Sequence, residues 1–255
     1  MMKKSFLGFV LVLVCSFAFC LPKDERLVVL TCADNPPYEF VSSGVIVGFD
    51  IDLAKLIAKR LHRQCDIKDM PFASVIPSLR AKQGDMAIAA ITPTDLRKKS
   101  LDFSIPYQSN ASALVIVKTE DFSNVEGGAY FPLELLKKRI LGVQLGTHHE
   151  ADIREADIEG ATIRRYDSVS NLVAEMEKSV RNVGTLYGII LGVPEAKAIV
   201  GKNEKLAFYK LKFEDSFAIA FPNESLLVED INRIINDLVL EGKISELEKK
   251  WGISD

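Results

Sequence analysis

The chain has little of what most catalytic and metal centres are built from. Four cysteines and three histidines stand in 255 residues, with no CxxC pair, no Gly-rich phosphate loop and no GxSxG turn. Lys and Arg form no long run and the formal charge is −3, which excludes the basic footprint of a nucleic-acid binder. After the first twenty or so residues no apolar stretch approaches the length of a membrane span. Nothing calls for a cofactor. His148-His149-Glu150 is the one cluster with metal-ligand chemistry, but adjacent helical residues point in different directions and His62 is the only other histidine. A solvated helix start is the plainer reading of that cluster.

What is present is ordinary globular material: 48% hydrophobic and 26% charged residues, too apolar for disorder. The length allows one large or two modest domains. Lys3 and Lys4 precede an apolar run from Phe6 to Leu21, and Lys23-Asp24-Glu25-Arg26 follows at once. That is the layout of a secretory signal, read here as residues 1–20, and it is short for a membrane helix. Its loss removes two lysines and takes the formal charge from −3 to −5. Ser16-Phe17-Ala18 and Ala18-Phe19-Cys20 both resemble small-x-small cleavage sites. Cys20 is alternatively the lipidated first residue of a surface-tethered chain, although Phe19 is bulky for that motif. The expected location is the periplasm, free or tethered.

Hydrophobic periodicity divides the rest into two α/β units of about 100 residues each, without an obvious internal repeat. In the first, Leu27–Thr31 reads as a buried strand ending in Asp34-Asn35-Pro36-Pro37. Asp50–Leu61 has one apolar helical face, with Asp50 and Asp52 placed to cap it. Cys65–Ile67 and Met86–Ile91 read as further strands, and Ser74–Lys82 as a helix with Pro77 in its first turn. Strand–helix–strand order implies a parallel sheet, with ligands beyond the carboxyl ends of the strands. The loops 33–38, 70–72 and 89–92 emerge there. Cys32 and Cys65 fall at opposite ends of neighbouring parallel strands, too far apart to join, so both are expected as free thiols.

The second unit begins after Ala113–Val117. Strands are read at Arg139–Val143, Ile163–Tyr166 and Leu186–Leu191. Gly146-Thr147-His148 turns into a helix running toward Glu155. Asp167 or Ser168 caps the helix Val169–Lys178, and Pro194 opens a short helix. Leu206–Leu211 and Phe217–Phe221 are strand-like, and helices Leu226–Leu240 and Ile244–Trp251 close the chain around Gly242.

Gly48-Phe49-Asp50-Ile51-Asp52-Leu53 resembles the signature of the family-3 extracellular solute-binding proteins, the polar amino-acid receptors of ABC importers. So do Pro36-Pro37-Tyr38-Glu39-Phe40, Ile76-Pro77-Ser78-Leu79, Thr92-Pro93-Thr94 with Arg97, Asp102-Phe103-Ser104-Ile105-Pro106-Tyr107, Leu145-Gly146-Thr147 and Leu247-Glu248-Lys249-Lys250-Trp251-Gly252. The resemblance implies an α/β, two-lobed periplasmic-binding-protein fold of the Venus-flytrap type. Two hinge strands would cross near Ser109–Leu114 and Asp215–Ala220. The lobes would be residues 24–111 with 217–255, and 112–216. It implies no catalysis, a small amino-acid-like carboxylate as ligand, a membrane ABC permease as partner, and a monomer.

The same resemblance assigns roles. Arg97 would grip the ligand carboxylate with its planar fork, although beside Lys98 and Lys99 it also reads as a solvated helix charge. Thr92 stands at the strand end beside it, and Gly146-Thr147-His148 would offer backbone N–H groups at a helix start, a role compatible with capping by Thr147. Phe72 would pack on the ligand or in the core, and Tyr38 is contact or plug. Asn35, Cys32 and Gln144 would select the ligand side chain. The chain departs from the pattern in several places: Gly192 stands where an acid is expected to hold the amine, Ala89 and Ala90 where small hydroxyl residues often contact it, Asn35 where an aromatic commonly sandwiches the ligand, and Cys32 where some members have an acidic or polar selector. Another acid, Asp34, Glu39 or Glu195, would then have to reach in, or the ligand would lack a free ammonium. That loss keeps open an enzyme alternative on the same scaffold, a dehydratase acting on a cyclic carboxylic acid.

Overall fold

The computed structural model describes residues 26–117 and 130–254; the leader, its cleavage candidates and Cys20 lie outside them. The first lobe opens with β1 (Arg26–Thr31), then a small antiparallel sheet of β2 (Asp34–Asn35), β3 (Glu39–Ser42) and β4 (Val45–Val47). It continues through α1 (Phe49–Arg60), β5 (Gln64–Asp69), α2 (Phe72–Arg80), β6 (Met86–Ala87), α3 (Asp95–Lys98) and β7 (Leu101–Phe103). Then come β8 (Gln108–Val117), β9 (Ile140–Gln144), α4 (His148–Glu155), β10 (Thr162–Tyr166), α5 (Val169–Val180), β11 (Gly188–Gly192), α6 (Val193–Val200) and β12 (Leu206–Phe217). The chain ends with β13 (Ala220–Pro222), α7 (Leu227–Leu240) and α8 (Lys243–Trp251).

Two five-stranded sheets organise these elements, one ordered β5-β1-β6-β13-β7 and the other β10-β9-β11-β8-β12. In the first, β1 lies parallel to both β5 and β6. Its side chains alternate between faces: Leu27 and Val29 join Phe49, Leu53 and Ile57 of α1 and Ile231, Ile235 and Leu238 of α7, while Leu30 meets Val75 and Leu79 of α2. The chain terminus therefore returns to the first lobe, fastened by Arg60 to Glu241 and by Lys250 and Trp251 to Asp52. In the second sheet α5 and α6 cover one face and α4 the other.

Both lobes share the long antiparallel pair β8 and β12. Their register runs from Gln108↔Phe217 to Val117↔Leu206 and shifts between Lys210 and Glu214. A bulge in a two-stranded connection is a natural place for bending. What reads in sequence as separate strands, Leu206–Leu211 and Phe217–Phe221, is thus the hinge strand β12 followed by the short β13.

Several local expectations are corrected. The second helix starts at Phe72, two residues before Ser74, so Pro77 lies inside it rather than in its first turn. The strand expected over Met86–Ile91 is regular only at Met86–Ala87, because Ala90 turns to φ 45°. Asp50 and Asp52 do not cap α1. Its N-cap is Gly48, held at φ 135° where a Cβ would fall 2.0 Å from the Tyr38 carbonyl oxygen. Only glycine allows that approach. Asp50 turns inward instead, accepting hydrogen bonds from the Ala90 N–H (2.8 Å) and the Tyr107 hydroxyl (3.0 Å). The sheet β2–β4 has no counterpart in the periodicity, since its strands are too short to show one.

Register explains the cysteines. Cys65 pairs with Leu27 at the start of β1, while Cys32 follows its end. Five residues of strand at ~3.3 Å each separate them by ~16 Å, and both are free thiols.

Candidate functional site

The loops beyond β1, β5 and β6 meet the β9–α4 and β11–α6 junctions around one cavity between the lobes. Cys32, Asn35, Glu39, Phe72, Ala89 and Ala90 line it from the first lobe. Gln144, Thr147, His148, His149, Val169, Ile190, Leu191, Gly192 and Glu195 line it from the second, with Phe217 from the end of β12. Of the residues singled out in the sequence, Asn35, Phe72, Ala90, Gln144, Thr147, His148 and Gly192 are therefore on its wall. Arg97 and Thr92 are not, but both touch residues that are. The Arg97 guanidinium carbon lies 5.7 Å from the centre of the Phe72 ring, and Thr92 Oγ1 shares a hydrogen bond of 3.1 Å with His148 Nδ1.

Arg97 is 8% exposed. Its Nη1 donates to the Thr92 carbonyl (2.7 Å) and its Nη2 to the Gly146 carbonyl of the other lobe (3.0 Å). Thr94 caps the short helix that carries it, accepting from the Arg97 N–H, so the arginine's backbone is fixed one turn from the strand end. Arg97–Gly146, Thr92–His148 and a third contact between Asp34 and α5 all span the lobes. The structure is that of a closed cleft.

The turn into α4 differs from its expected form. The Gly146 N–H donates to Glu150 Oε2 (3.1 Å) and the Thr147 N–H to the Gln144 carbonyl (3.4 Å), so neither is open to an anion. The Thr147 hydroxyl also turns back to that carbonyl (2.7 Å) and caps nothing. His148 and His149 do not diverge: their ring centres are 3.9 Å apart. His149 is half-buried as a residue, with its Nε2 sealed from solvent. Burial, then the neighbouring His148 and Arg97, push its pKa well below the ordinary histidine range, which keeps the ring neutral. Among the described residues no group of three His, Cys, Asp or Glu is placed to hold a metal ion.

The acids divide by role. Asp34 does not enter the cavity; its carboxylate accepts from the Val169 N–H (2.5 Å), the Ser170 N–H and the Ser170 hydroxyl at the start of α5. Glu39 and Glu195 do line the cavity, at 1% and 4% exposure. The Glu39 carboxyl has the Asn35 amide and Asp50 as its hydrogen-bonding neighbours. Burial holds its carboxyl well above the ordinary range, reinforced by Asp50, Cys32 and Glu195, while the nearby Asn35 amide pulls the other way. Burial likewise raises Asp50 to about 6, against the hydrogen bonds from Ala90, Tyr107 and Glu39 that lower it. The Cys32 thiol is pushed up to about 12 by burial, then by Asp34 and Asp69, and stays protonated.

Tyr38 is a plug: fully buried, it stands edge-on to Phe49 and Phe217. His149, Val169, Ile190, Leu191 and Phe217 are wall residues to which the sequence assigns no site role. No local signal marks Phe217 or Val169, since a strand end and a first helical residue become cavity wall only through lobe closure. His149 is marked in sequence only by its neighbour His148, and ideal helix geometry points it away from the site.

Two α/β lobes on a pair of hinge strands, closed over a cavity with an arginine at its edge and buried acids in its wall, define a two-lobed solute-binding protein. The chain belongs to the bacterial extracellular solute-binding proteins, family 3, whose model matches residues 27–254. It is similar to the arginine-binding extracellular protein ArtP of Bacillus subtilis, with 31% identity over 89% of this chain and 86% of that one. It is 28% identical to the probable ABC transporter arginine-binding protein ArtJ of Chlamydia trachomatis, over 99% and 98% of the two chains. Among solved structures, the arginine-, lysine-, histidine-binding protein ArtJ of Geobacillus stearothermophilus superposes with a TM-score of 0.78 at 27% identity, over 91% of this chain and 96% of that one. These relatives are binding proteins, and nothing in them supports the dehydratase alternative. No helix among the described residues is long and apolar enough to cross a membrane.

Proposed function

We propose that this chain captures a basic L-amino acid outside the cytoplasm and presents it, as a monomer and without catalysis, to an ABC permease. The observation that carries the ligand class is the pair of buried carboxyls in the cavity wall, Glu39 and Glu195, at 1% and 4% exposure. Buried acids are costly without a counter-charge, and a cationic ligand entering the cleft supplies one. Arg97, 5.7 Å from the Phe72 ring, is the partner for the carboxylate, exchanging a carbonyl for the stronger charge-assisted pair. Cys32, Asn35 and Gln144 shape the side-chain end, and the relatives that bind arginine, lysine or histidine fit the same charge pattern. The moving bodies in this reading are residues 24–111 with 217–255, and 112–216. Residues 1–20 are the export signal, and lipid labelling of the mature chain decides whether Cys20 is its acylated first residue.

Titration calorimetry of the mature protein against L-arginine, L-lysine, L-histidine, L-glutamine and L-glutamate tests the ligand class. Basic ligands are expected to bind most tightly, and Glu39→Gln to lose about 100-fold or more for them. Tightest binding of L-glutamate, or a Glu39→Gln variant with unchanged affinities, would overturn it.

A further inference from the structure

His148 and His149 begin α4 with ring centres 3.9 Å apart, and both line the cavity. His148 Nδ1 shares a hydrogen bond with Thr92 Oγ1, and Arg97 reaches across to the Gly146 carbonyl, so the pair sits on the seam where the lobes meet. His149 Nε2 is sealed from solvent with no hydrogen-bond partner among the described residues. A protonated imidazole carries two N–H donors. In the closed cleft the one at Nε2 would find no acceptor, and its charge would lie beside Arg97, so the closed form favours the neutral ring.

The nearby acids do not neutralise such a charge. On α4 itself Glu150 is taken by the Gly146 N–H, Arg154 and Arg165, while Asp152 and Glu155 lie outside the cavity wall. Of the strands packed against α4, β9 has no charged side chain and β10 has two arginines, Arg164 and Arg165. Across the cavity stand Glu39 and Glu195; burial keeps Glu39 protonated, and a basic ligand draws on both. Asp34 is bonded to the start of α5. The balance is repulsive: burial, then His148 and Arg97, hold the His149 pKa well below the ordinary histidine range. When the lobes part, the ring meets water and Arg97 leaves with the first lobe, so the open form takes up the proton more readily. We propose that the His148–His149 pair makes closure acid-labile: a proton gained by His149 sets a second cation against Arg97 within the seam, drives the lobes apart and releases the ligand. The switch acts on closure itself and holds for any ligand class.

The test is the pH profile of L-arginine binding by calorimetry, on wild type, His149→Gln and Glu39→Gln. Through His149 the affinity is expected to fall by about 30-fold between pH 6.5 and 5, up to about tenfold per pH unit, on top of what Glu39 contributes. His149→Gln should lose that part of the slope, whereas Glu39→Gln should keep it. The slope is read, not the affinity at pH 7, so altered packing in the variant leaves the result intact. The chain has three histidines, so their ring-nitrogen NMR signals can be followed one by one, and His149 of the L-arginine complex should stay neutral down to about pH 5. An unchanged slope in His149→Gln, or a His149 that titrates in the complex as an ordinary histidine, overturns the switch. If L-arginine does not bind, the basic-ligand reading falls and small-angle scattering of the ligand-free chain decides. A radius of gyration that rises from pH 7 to 5 in wild type and not in His149→Gln supports the switch, and equal behaviour of the two proteins removes it.

Discussion

Asp34 of the first lobe and Ser170 of the second are joined by a hydrogen bond from the serine hydroxyl to the aspartate, with the Val169 and Ser170 N–H groups donating to the same carboxylate. A carboxylate at the start of α5 meets both unsatisfied N–H groups and the positive end of the helix dipole, and it does so only when the cleft is shut. The loop that lines the cavity through Cys32 and Asn35 is thereby also a fastening between the lobes.

Removing that fastening should weaken every ligand alike. Asp34→Asn and Ser170→Ala are each expected to lower affinity by about 3- to 30-fold, scaled down for partial exposure, with faster dissociation and an unchanged order of ligand preference. Stopped-flow dissociation and small-angle scattering with saturating ligand read this. An unchanged dissociation rate in both variants would remove the fastening role.

Arg97→Lys keeps the charge and loses the fork. A point-like ammonium cannot hold the Thr92 and Gly146 carbonyls and a ligand carboxylate in the same plane. Affinity for any α-carboxylate ligand is expected to fall by about 30-fold or more with little change in the ligand-free Tm. Calorimetry checks this, and near wild-type affinity in the lysine variant would show that charge alone suffices.

Gly48→Ala should be severely destabilising. A Cβ there meets the Tyr38 carbonyl at 2.0 Å in a backbone held at φ 135°, and neither α1 nor the buried Tyr38 can move away without opening the core. A loss of about 3 kcal/mol or more is expected, read from the denaturant midpoint. A loss below 1 kcal/mol, roughly the cost of an ordinary surface change, would mean the loop relaxes.

The buried carboxyls set a pH dependence. Asp50 rises from an ordinary 3.8 to about 6, so the folded chain holds its proton more tightly than the unfolded chain. Its contribution is complete below the unfolded value and lost as pH rises through the folded one. Ligand-free stability should therefore fall between about pH 4 and 7 by roughly 3 kcal/mol from this group, and Asp50→Asn should flatten that part of the profile. Glu150 works in the opposite sense: although burial raises it, the Gly146 N–H and Arg165 hold its pKa low. Being common to both proteins, it cancels in the difference. Thermal melts across the range decide it, and identical slopes in wild type and variant would remove the assignment.

The same sign applied to Glu39 ties ligand capture to proton release. A cation on Glu39 needs the carboxylate, while the ligand-free carboxyl is held protonated by burial. Calorimetry of a basic ligand in buffers of different ionisation heat should show up to about one proton released at neutral pH. Release that persists undiminished in Glu39→Gln would place the proton elsewhere.

The amino-acid sequence by itself determined the elements with a long apolar period, β1, α1, α5, α7 and α8, because burial of one face leaves a 2- or 3.6-residue signature. It also narrowed the cap of α5 to Asp167 or Ser168, of which the structure uses Ser168, and it determined the return of the chain to the first lobe through the closing motif and the loops that lie at the carboxyl ends of the strands. Those signals are local or carried in short motifs. Only the tertiary structure decided what closure brings together. It turned Asp50 from a helix cap into a buried acceptor and Asp34 from a ligand candidate into a link to α5. It committed the Gly146 N–H to Glu150, and it put Glu39 and Glu195, 156 positions apart in sequence, in one cavity wall. The physical reason is that an acid reads alike in sequence whether it is solvated, capping a helix or sealed in a cleft. Its surroundings, supplied here by two lobes folded from separate stretches of chain, decide which.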